Sequence, residues 1–138
     1  MTEVFLGREA IGAGMSRHTL QRWYRPLFRG VYVPKRATPT LYDRAVGAWL
    51  TTGRCGTIAG VAASALHGAE WVSDDEPIEV LVAERRRQAG LMVRMDRVSD
   101  DEITEIGGLP VTTAARTAFD VGRYMRRSEG IARLDALK

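Results

Sequence analysis

Side chains of the types that can hydrogen-bond base edges and phosphates are concentrated in one short stretch near the start of the chain. They are Arg17, His18, Gln21, Arg22 and Arg25. Their three- and four-residue spacings place them on one flank of a helix. Arg and Gln side chains donate hydrogen bonds to base edges and to phosphates. Glu, which usually alternates with Arg on a solvated helix, does not occur in this stretch. The pattern favours contact with a duplex over simple solvation.

A helix-turn-helix would present this flank to DNA. Residues 4–14 predict a first helix, and Ser16 is the expected N-cap of a second helix over 17–24. Gly14, in the short link between them, tolerates a left-handed backbone. Pro26 is expected to end the second helix. The side chains predicted to pack inward from that helix are Leu20, Trp23 and Tyr24.

Residues 27–34 predict a tight β-hairpin, with Arg29-Gly30 between two β-prone pairs. A hairpin that follows a recognition helix is a wing, so residues 1–36 are predicted to form a winged helix-turn-helix. Arg29 would lie near the tip or the base of the wing, where arginine is favoured against sugar-phosphate or the minor groove. A purely structural hairpin that closes a small core explains the same residues, and both interpretations stay open.

Charge is distributed unevenly along the chain. Residues 1–36 contain seven cations and two anions, whereas the rest of the chain contains thirteen cations and fifteen anions. A basic segment on a slightly acidic body is typical of a module that binds a polyanion, although ordinary surface charge also produces such numbers. The single cysteine, Cys55, and the lack of a signal peptide or a long apolar run predict a cytoplasmic protein without a membrane partner.

The remainder of the chain predicts a second domain that contains both helices and strands. The predicted fold class is α+β, with a winged helix-turn-helix domain over 1–36, a linker over 35–40 and a mixed α/β domain with antiparallel hairpins over 40–138. The elements expected in the second domain are a helix over 41–52 capped by Thr40, a strand feeding a helix over 58–68, strands over 77–83 and 91–98, a hairpin over 103–112, a helix from Thr113 to about 125 and a helix over 129–137. Because the last helical pattern runs to the final residues, we expect this domain to be truncated at its C-terminus.

Catalytic chemistry is not indicated. One Cys and two distant His residues are too few for a structural zinc site, and no phosphate-binding loop occurs. Ser64 and His67 are spaced for one helix face but lack a nucleophile elbow, so His67 is expected to be a buried or half-buried hydrogen-bonding residue. The acidic runs 74–76 and 100–102 fit turns or helix starts better than a nuclease site. The arginine run 85–87 is either a second phosphate contact or a solvated turn. We predict no catalytic site, no cofactor and no metal.

Three stretches in a fixed order carry a family resemblance. They are Met-Ser-Arg-His-Thr-Leu with Arg-Gly-Val-Tyr-Val-Pro within residues 15–34, Ala-Ser-Ala-Leu-His-Gly at 63–68, and Gly-Leu-Pro-Val-Thr-Thr-Ala-Ala-Arg-Thr-Ala-Phe-Asp at 108–120. Together they resemble the AbiEi family of antitoxins from type IV toxin–antitoxin systems. Arg116 and Asp120 fall on the family's R-T-x-x-D signature, and a structural ion pair explains them adequately.

The resemblance implies an N-terminal winged helix that binds inverted repeats in its own promoter, followed by an α+β antitoxin domain. It also implies a cognate nucleotidyltransferase-like toxin that need not be bound directly. The side chains expected to approach bases in the major groove are Arg17, His18, Gln21 and Arg22, with Arg25 and Arg29 on phosphates. We therefore expect a sequence-specific, non-enzymatic DNA-binding regulator, an antitoxin that represses its own operon.

Two other interpretations remain open. The N-terminal stretch is also similar to the N-terminal part of longer actinobacterial proteins that continue into a Vsr-like, PD-(D/E)XK-type endonuclease domain. On that interpretation the chain is the DNA-targeting part of a nuclease. The other is a protein-interaction module whose basic segment binds an acidic partner, and salt-dependent binding to a duplex would argue against it.

Overall fold

The computed structural model describes residues 2–82 and 90–124. Their strands form two sheets, and helices pack around them. The helices are α1 (Gly7–Gly12), α2 (Arg17–Trp23), α3 (Leu41–Thr51), α4 (Gly60–Leu66) and α5 (Ala114–Tyr124), and the strands are β1 (Phe5–Leu6), β2 (Tyr24–Phe28), β3 (Val31–Pro34), β4 (Thr57–Ala59), β5 (Ile78–Val82), β6 (Leu91–Met95), β7 (Ile103–Ile106) and β8 (Leu109–Thr112). The predicted α+β fold class is confirmed. The arginine run 85–87 and the helix expected over 129–137 lie outside the described residues.

The N-terminal sheet has three antiparallel strands in the order β1-β3-β2. Its hairpin confirms the strand pair predicted within residues 27–34, and Gly30 turns it with a φ of 75°. The helix predicted over 4–14 is wrong at its start, because Phe5 and Leu6 pair with Tyr32 and Val31 as strand β1. A two-residue strand has no local signal of its own, since its pairing depends on the distant strand β3.

The second helix also ends earlier than predicted. Helix α2 stops at Trp23, and Tyr24 already belongs to strand β2. Pro26 is therefore a strand residue opposite Tyr32 instead of the residue that ends the helix. A proline is tolerated there because β2 is an edge strand of this sheet, and a register irregularity follows between Pro26 and Phe28.

The second sheet has five strands in the order β6-β5-β4-β8-β7. Strand β5 pairs in parallel with β6, and β4 in parallel with β8, whereas the β4–β5 and β7–β8 pairs are antiparallel. The predicted hairpin within 103–112 and the strand that feeds a helix within 58–68 are confirmed. Strand β6 ends at Met95, three residues before the predicted end. Thr113 begins helix α5 as predicted, since its hydroxyl accepts the backbone N–H of Arg116 at 3.3 Å.

Helix α3 packs against both sheets. Thr40 and Asp43 form a capping box at its start, as the prediction of a Thr40 cap requires. Its buried face joins one apolar cluster that includes Phe28 of the first sheet and Ile58 and Val80 of the second. At Gly47 the helix comes so close to the hairpin that a Cβ atom there would lie 3.0 Å from Leu27 and 3.1 Å from Phe28.

A glycine is required where strand β4 meets helix α4. Gly60 has a φ of 59°, and a Cβ atom at this position would lie 1.4 Å from the Glu79 Oε2 atom. The buried Glu79 carboxylate accepts the backbone N–H of Val61, in the first turn of α4. The positive φ of the turn thus disfavours any side chain at residue 60, and the Glu79 carboxylate occupies the space that a side chain there would need.

Replacing this glycine tests the arrangement. Gly60→Ala is expected to lower the free energy of unfolding by roughly 2–5 kcal/mol, because a left-handed backbone with a side chain adds to the clash with Glu79. Gly122→Ala is the matched control, since nothing lies within 4 Å of its Cβ position on helix α5. That variant should gain about 0.5–1 kcal/mol from helix propensity. Urea denaturation of both variants measures the difference, and equal stabilities would contradict the close approach of Glu79 to Gly60.

Candidate nucleic-acid interface

Helix α2 is a short helix with most of its surface open. The hydroxyl of Ser16 accepts the backbone N–H of Thr19 at 3.0 Å, which confirms the predicted N-cap. Leu20 is the buried residue of the helix, and it lies beside Tyr32 beneath Gly7. At the other end, the carbonyl of Trp23 accepts the backbone N–H of Lys35 at 3.0 Å, which fastens the helix to the end of strand β3.

The structure brings four of the predicted site residues together on this helix. They are Arg17, His18, Gln21 and Arg22, and all four are exposed. None of the four forms an ion pair with any residue in the described part of the chain. No acidic residue lies in the first turn of α2. The guanidinium groups of this face are therefore not neutralised by carboxylates of the described residues.

The other two predicted site residues lie on the hairpin. Arg25 was expected on the helix flank, but it belongs to strand β2 and is half-buried. Its Nη2 donates to the carbonyl of Ala37 at 3.1 Å, so this guanidinium also holds the segment that follows β3. Arg29 is exposed in the hairpin turn, and its backbone carbonyl accepts the hydroxyl of Thr51 at 2.8 Å. These two arginines thus belong to the hairpin that follows α2 and not to the helix itself.

The inward packing predicted for the second helix is right for Leu20 and wrong for Trp23, whose side chain is 59% exposed. Because α2 ends at Trp23, the interior beneath the helix is filled by Leu20 and Tyr32 instead. Tyr24 is half-buried, which agrees with the predicted inward packing, but it lies in strand β2 and not in the helix. Its ring packs edge-to-face on Phe5 of strand β1, with ring centroids 5.0 Å apart.

Sequence reasoning missed two residues that share the surface of α2. A shallow hollow is lined by His18, Gln21, Arg22, Trp23 and Lys35. Lys35 was assigned to a linker, and Trp23 to the core. The position of Lys35 could have been predicted from the sequence, because this residue directly follows the second strand of the predicted hairpin. The exposure of Trp23 follows only from where the helix ends.

A second group of charges has the opposite character. Arg116 is 7% exposed, and its Nε lies 3.1 Å from both carboxylate oxygens of the buried Asp120. Its other nitrogens donate to Asp96 at 2.8 Å, to the carbonyl of Arg97 at 2.8 Å and to Glu102 at 3.3 Å. The predicted structural ion pair between Arg116 and Asp120 is confirmed. It is the centre of a wider network that ties helix α5 to the segment after β6.

Ser64 and His67 have structural partners. The Ser64 hydroxyl donates to the carbonyl of Val61 at 2.6 Å, within helix α4. The Nε2 of the half-buried His67 lies 2.8 Å from the carbonyl oxygen of Thr112, so its predicted hydrogen-bonding role is confirmed. The His67 contact links the end of α4 to strand β8, whereas the Ser64 contact stays within α4, and the two do not pair a nucleophile with a base.

The acidic runs also have structural roles. Asp74 accepts the backbone N–H of Leu41 at 2.8 Å, and Glu102 belongs to a capping box with Ser99. Across residues 2–82 and 90–124, no group of three or more His, Cys, Asp or Glu side chains is arranged to hold a metal ion. None of the helices among those residues is long and apolar enough to cross a membrane.

The described residues define an α+β protein in which two short helices and a hairpin precede a mixed five-stranded sheet. A family model described as the AbiEi antitoxin C-terminal domain matches residues 55–138. The chain belongs to this antitoxin family, which confirms the resemblance to AbiEi and supports a role in a toxin–antitoxin system. Searches among curated proteins and among solved structures find no match. The similarity to proteins with a Vsr-like endonuclease domain stays a prediction.

The Arg116 network generates a stability prediction. Arg116→Met should lower the free energy of unfolding by about 3 kcal/mol, because it leaves the buried Asp120 carboxylate without its main partner. Arg123→Met is the matched control: its guanidinium bonds Asp96 from a more exposed position, so the loss should be about 0–1 kcal/mol. Thermal or urea unfolding compares the two variants, and equal losses would mean that burial does not set the strength of this network.

Glu79 generates a prediction about pH. Burial raises the pKa of Glu79 above its ordinary value of 4.5, and the charge of Arg94 and the Val61 N–H only partly oppose this. A carboxyl with a raised pKa in the folded state binds its proton more tightly there, so its contribution to stability falls as pH rises through that pKa. Glu79→Gln removes this titration while keeping an oxygen that accepts the Val61 N–H.

The variant should therefore gain stability relative to the unmodified protein as pH rises from about 4.5 to about 7. Urea denaturation across that range gives the difference between the two proteins at each pH. Taking the difference cancels the opposite effect of Asp96, whose pKa is lowered, first by the hydrogen bond from Arg123. A stability advantage of the unmodified protein that grows with pH would show that Arg94 outweighs burial.

Proposed function

We propose that the protein is an antitoxin that binds duplex DNA sequence-specifically through helix α2 and represses its own operon. The observation that carries this proposal is the exposed, acid-free face of α2. In a chain with nearly as many acids as bases, a helix whose arginines form no ion pair with the described acids favours an anionic partner. The antitoxin family to which the chain belongs fits a regulatory role.

The dimensions of the element suit a groove. Seven helical residues span roughly 10 Å, and the major groove of B-DNA is about 12 Å wide. We infer that Arg17, His18, Gln21 and Arg22 approach base edges there. The hairpin beside α2 is the inferred wing, with Arg29 at its turn and Arg25 at its side contacting phosphates. Arg25 also holds the carbonyl of Ala37 through its Nη2 atom.

The partners follow from the same proposal. The duplex is a set of inverted repeats in the protein's own promoter, bound in the cytoplasm, and a nucleotidyltransferase-like toxin from the same operon need not touch the antitoxin directly. The domain assignment, 1–36 for DNA binding and 40–138 for the antitoxin domain, is part of the proposal. No enzymatic step is assigned to the chain.

The test is a gel-shift titration against DNA from immediately upstream of the gene, with a shuffled duplex of equal length and composition as competitor. Arg22→Ala should weaken binding to the upstream fragment by about 1–3 kcal/mol and relax specificity at one base pair. Arg97→Ala is the matched control, because this exposed arginine loses the same charge far from α2 in the sequence. The control should bind as the unmodified protein does.

Each other outcome has a defined meaning. Equal affinity for the upstream and shuffled duplexes contradicts sequence-specific binding. Uniform weakening by Arg22→Ala across sequences assigns Arg22 to a phosphate and contradicts its base contact. Binding that is insensitive to salt contradicts a duplex partner altogether, since neutralised phosphates release counterions.

A further inference from the structure

Trp23 is the feature of α2 that the proposed base contacts do not use. Its side chain is 59% exposed, although tryptophan is the largest apolar side chain available. It does not belong to the apolar cluster that joins the two sheets among the described residues. A large exposed aromatic residue on an otherwise basic surface is typical of a binding face.

The surroundings of Trp23 are cationic. The guanidinium carbon of Arg22 lies 5.0 Å from the centre of the indole ring, within the range of a cation–π contact. The backbone N–H of Lys35 bonds the Trp23 carbonyl, which holds the Lys35 backbone against the last residue of α2. Both residues line the hollow that also contains His18 and Gln21. The indole therefore shares with two cations the surface that is proposed to meet DNA.

An arginine without a carboxylate partner samples many rotamers, and ordering it on binding costs entropy. Contact with a rigid ring restricts the guanidinium beforehand without neutralising its charge. This is the property required of an arginine that must form two parallel hydrogen bonds with a guanine. A carboxylate in the same place would orient the arginine but would also repel phosphates.

We propose that Trp23 is a positioning residue of the DNA-binding face, which holds the Arg22 guanidinium for its base contact while Lys35 binds the adjacent phosphate. This inference rests on the proposed function of α2. It adds Trp23 and Lys35 to that surface and identifies the Trp23 ring as the group that orients the Arg22 guanidinium. The ligand is the duplex itself, a base edge at Arg22 and a backbone phosphate at Lys35.

A double-mutant cycle on the upstream fragment tests the positioning role. Trp23→Ala should weaken binding about five- to tenfold, and Trp23→Phe, which keeps an aromatic face, should recover most of the loss. In an Arg22→Ala background, Trp23→Ala should have less than about a twofold further effect, because the group that it positions is gone. Losses that simply multiply would overturn the positioning role.

The controls separate this inference from the proposed function and from misfolding. Trp71→Ala removes another exposed tryptophan, 76% exposed and far from α2 in the sequence, and should leave DNA affinity unchanged. All variants should keep the thermal midpoint of the unmodified protein, because Trp23 is outside the core. If the unmodified protein fails to bind the fragment, the proposed function fails. If it binds and Trp23→Ala binds equally well, only the present inference fails.

Lys35 has its own readout. Lys35→Gln should reduce the slope of log affinity against log salt concentration by about one, with similar weakening on specific and shuffled duplexes. An unchanged slope would overturn the phosphate contact. Trp23→Ala serves as the contrast, since it removes no charge and should leave that slope nearly unchanged while lowering specificity.

Discussion

The packing of helix α3 between the two sheets is the constraint on which the rest of the structure depends. Its capped start, its small buried residues and Gly47 allow the hairpin and the five-stranded sheet to share one apolar cluster. The first sheet has three strands, one of only two residues, and its Phe28 and Val31 are buried in the cluster that α3 completes. The hairpin that follows α2 therefore packs on a helix that lies beyond it in the sequence.

Features of the fold that local chemistry controls were predictable, and those that depend on distant partners were not. Thr40 and Thr113 indicated where helices start, because a side-chain cap is a local interaction. Arg116 and Asp120 indicated an ion pair, because they lie four residues apart on one helix. Strand β1 and the exposure of Trp23 had no such signal. Both follow from strand β3, which pairs with Phe5 and Leu6 and ends beside the last turn of α2.

The chain uses arginine in two contrasting environments. Arg116 is buried and surrounded by acids, so its hydrogen-bonding capacity is consumed within the fold. Arg17 and Arg22 are exposed and have no ion-pair partner in the described residues, so their capacity is open to another molecule. The residue type alone did not distinguish these roles, but the neighbouring acids did. That contrast supports DNA contact by α2 more strongly than net charge does.

Two contacts join the N-terminal elements to the segment at the end of helix α3. Arg54 adopts a left-handed φ of 63° directly before the family match begins at residue 55, and it forms a two-point ion pair with Glu9 of helix α1. Thr51, at the end of α3, holds the carbonyl of Arg29 in the hairpin turn. Since both contacts lie at the end of α3, a shift of this helix would move α1 and the hairpin together. The two elements that flank α2 in the sequence are thus held by the segment that leads into the residues matched by the antitoxin family.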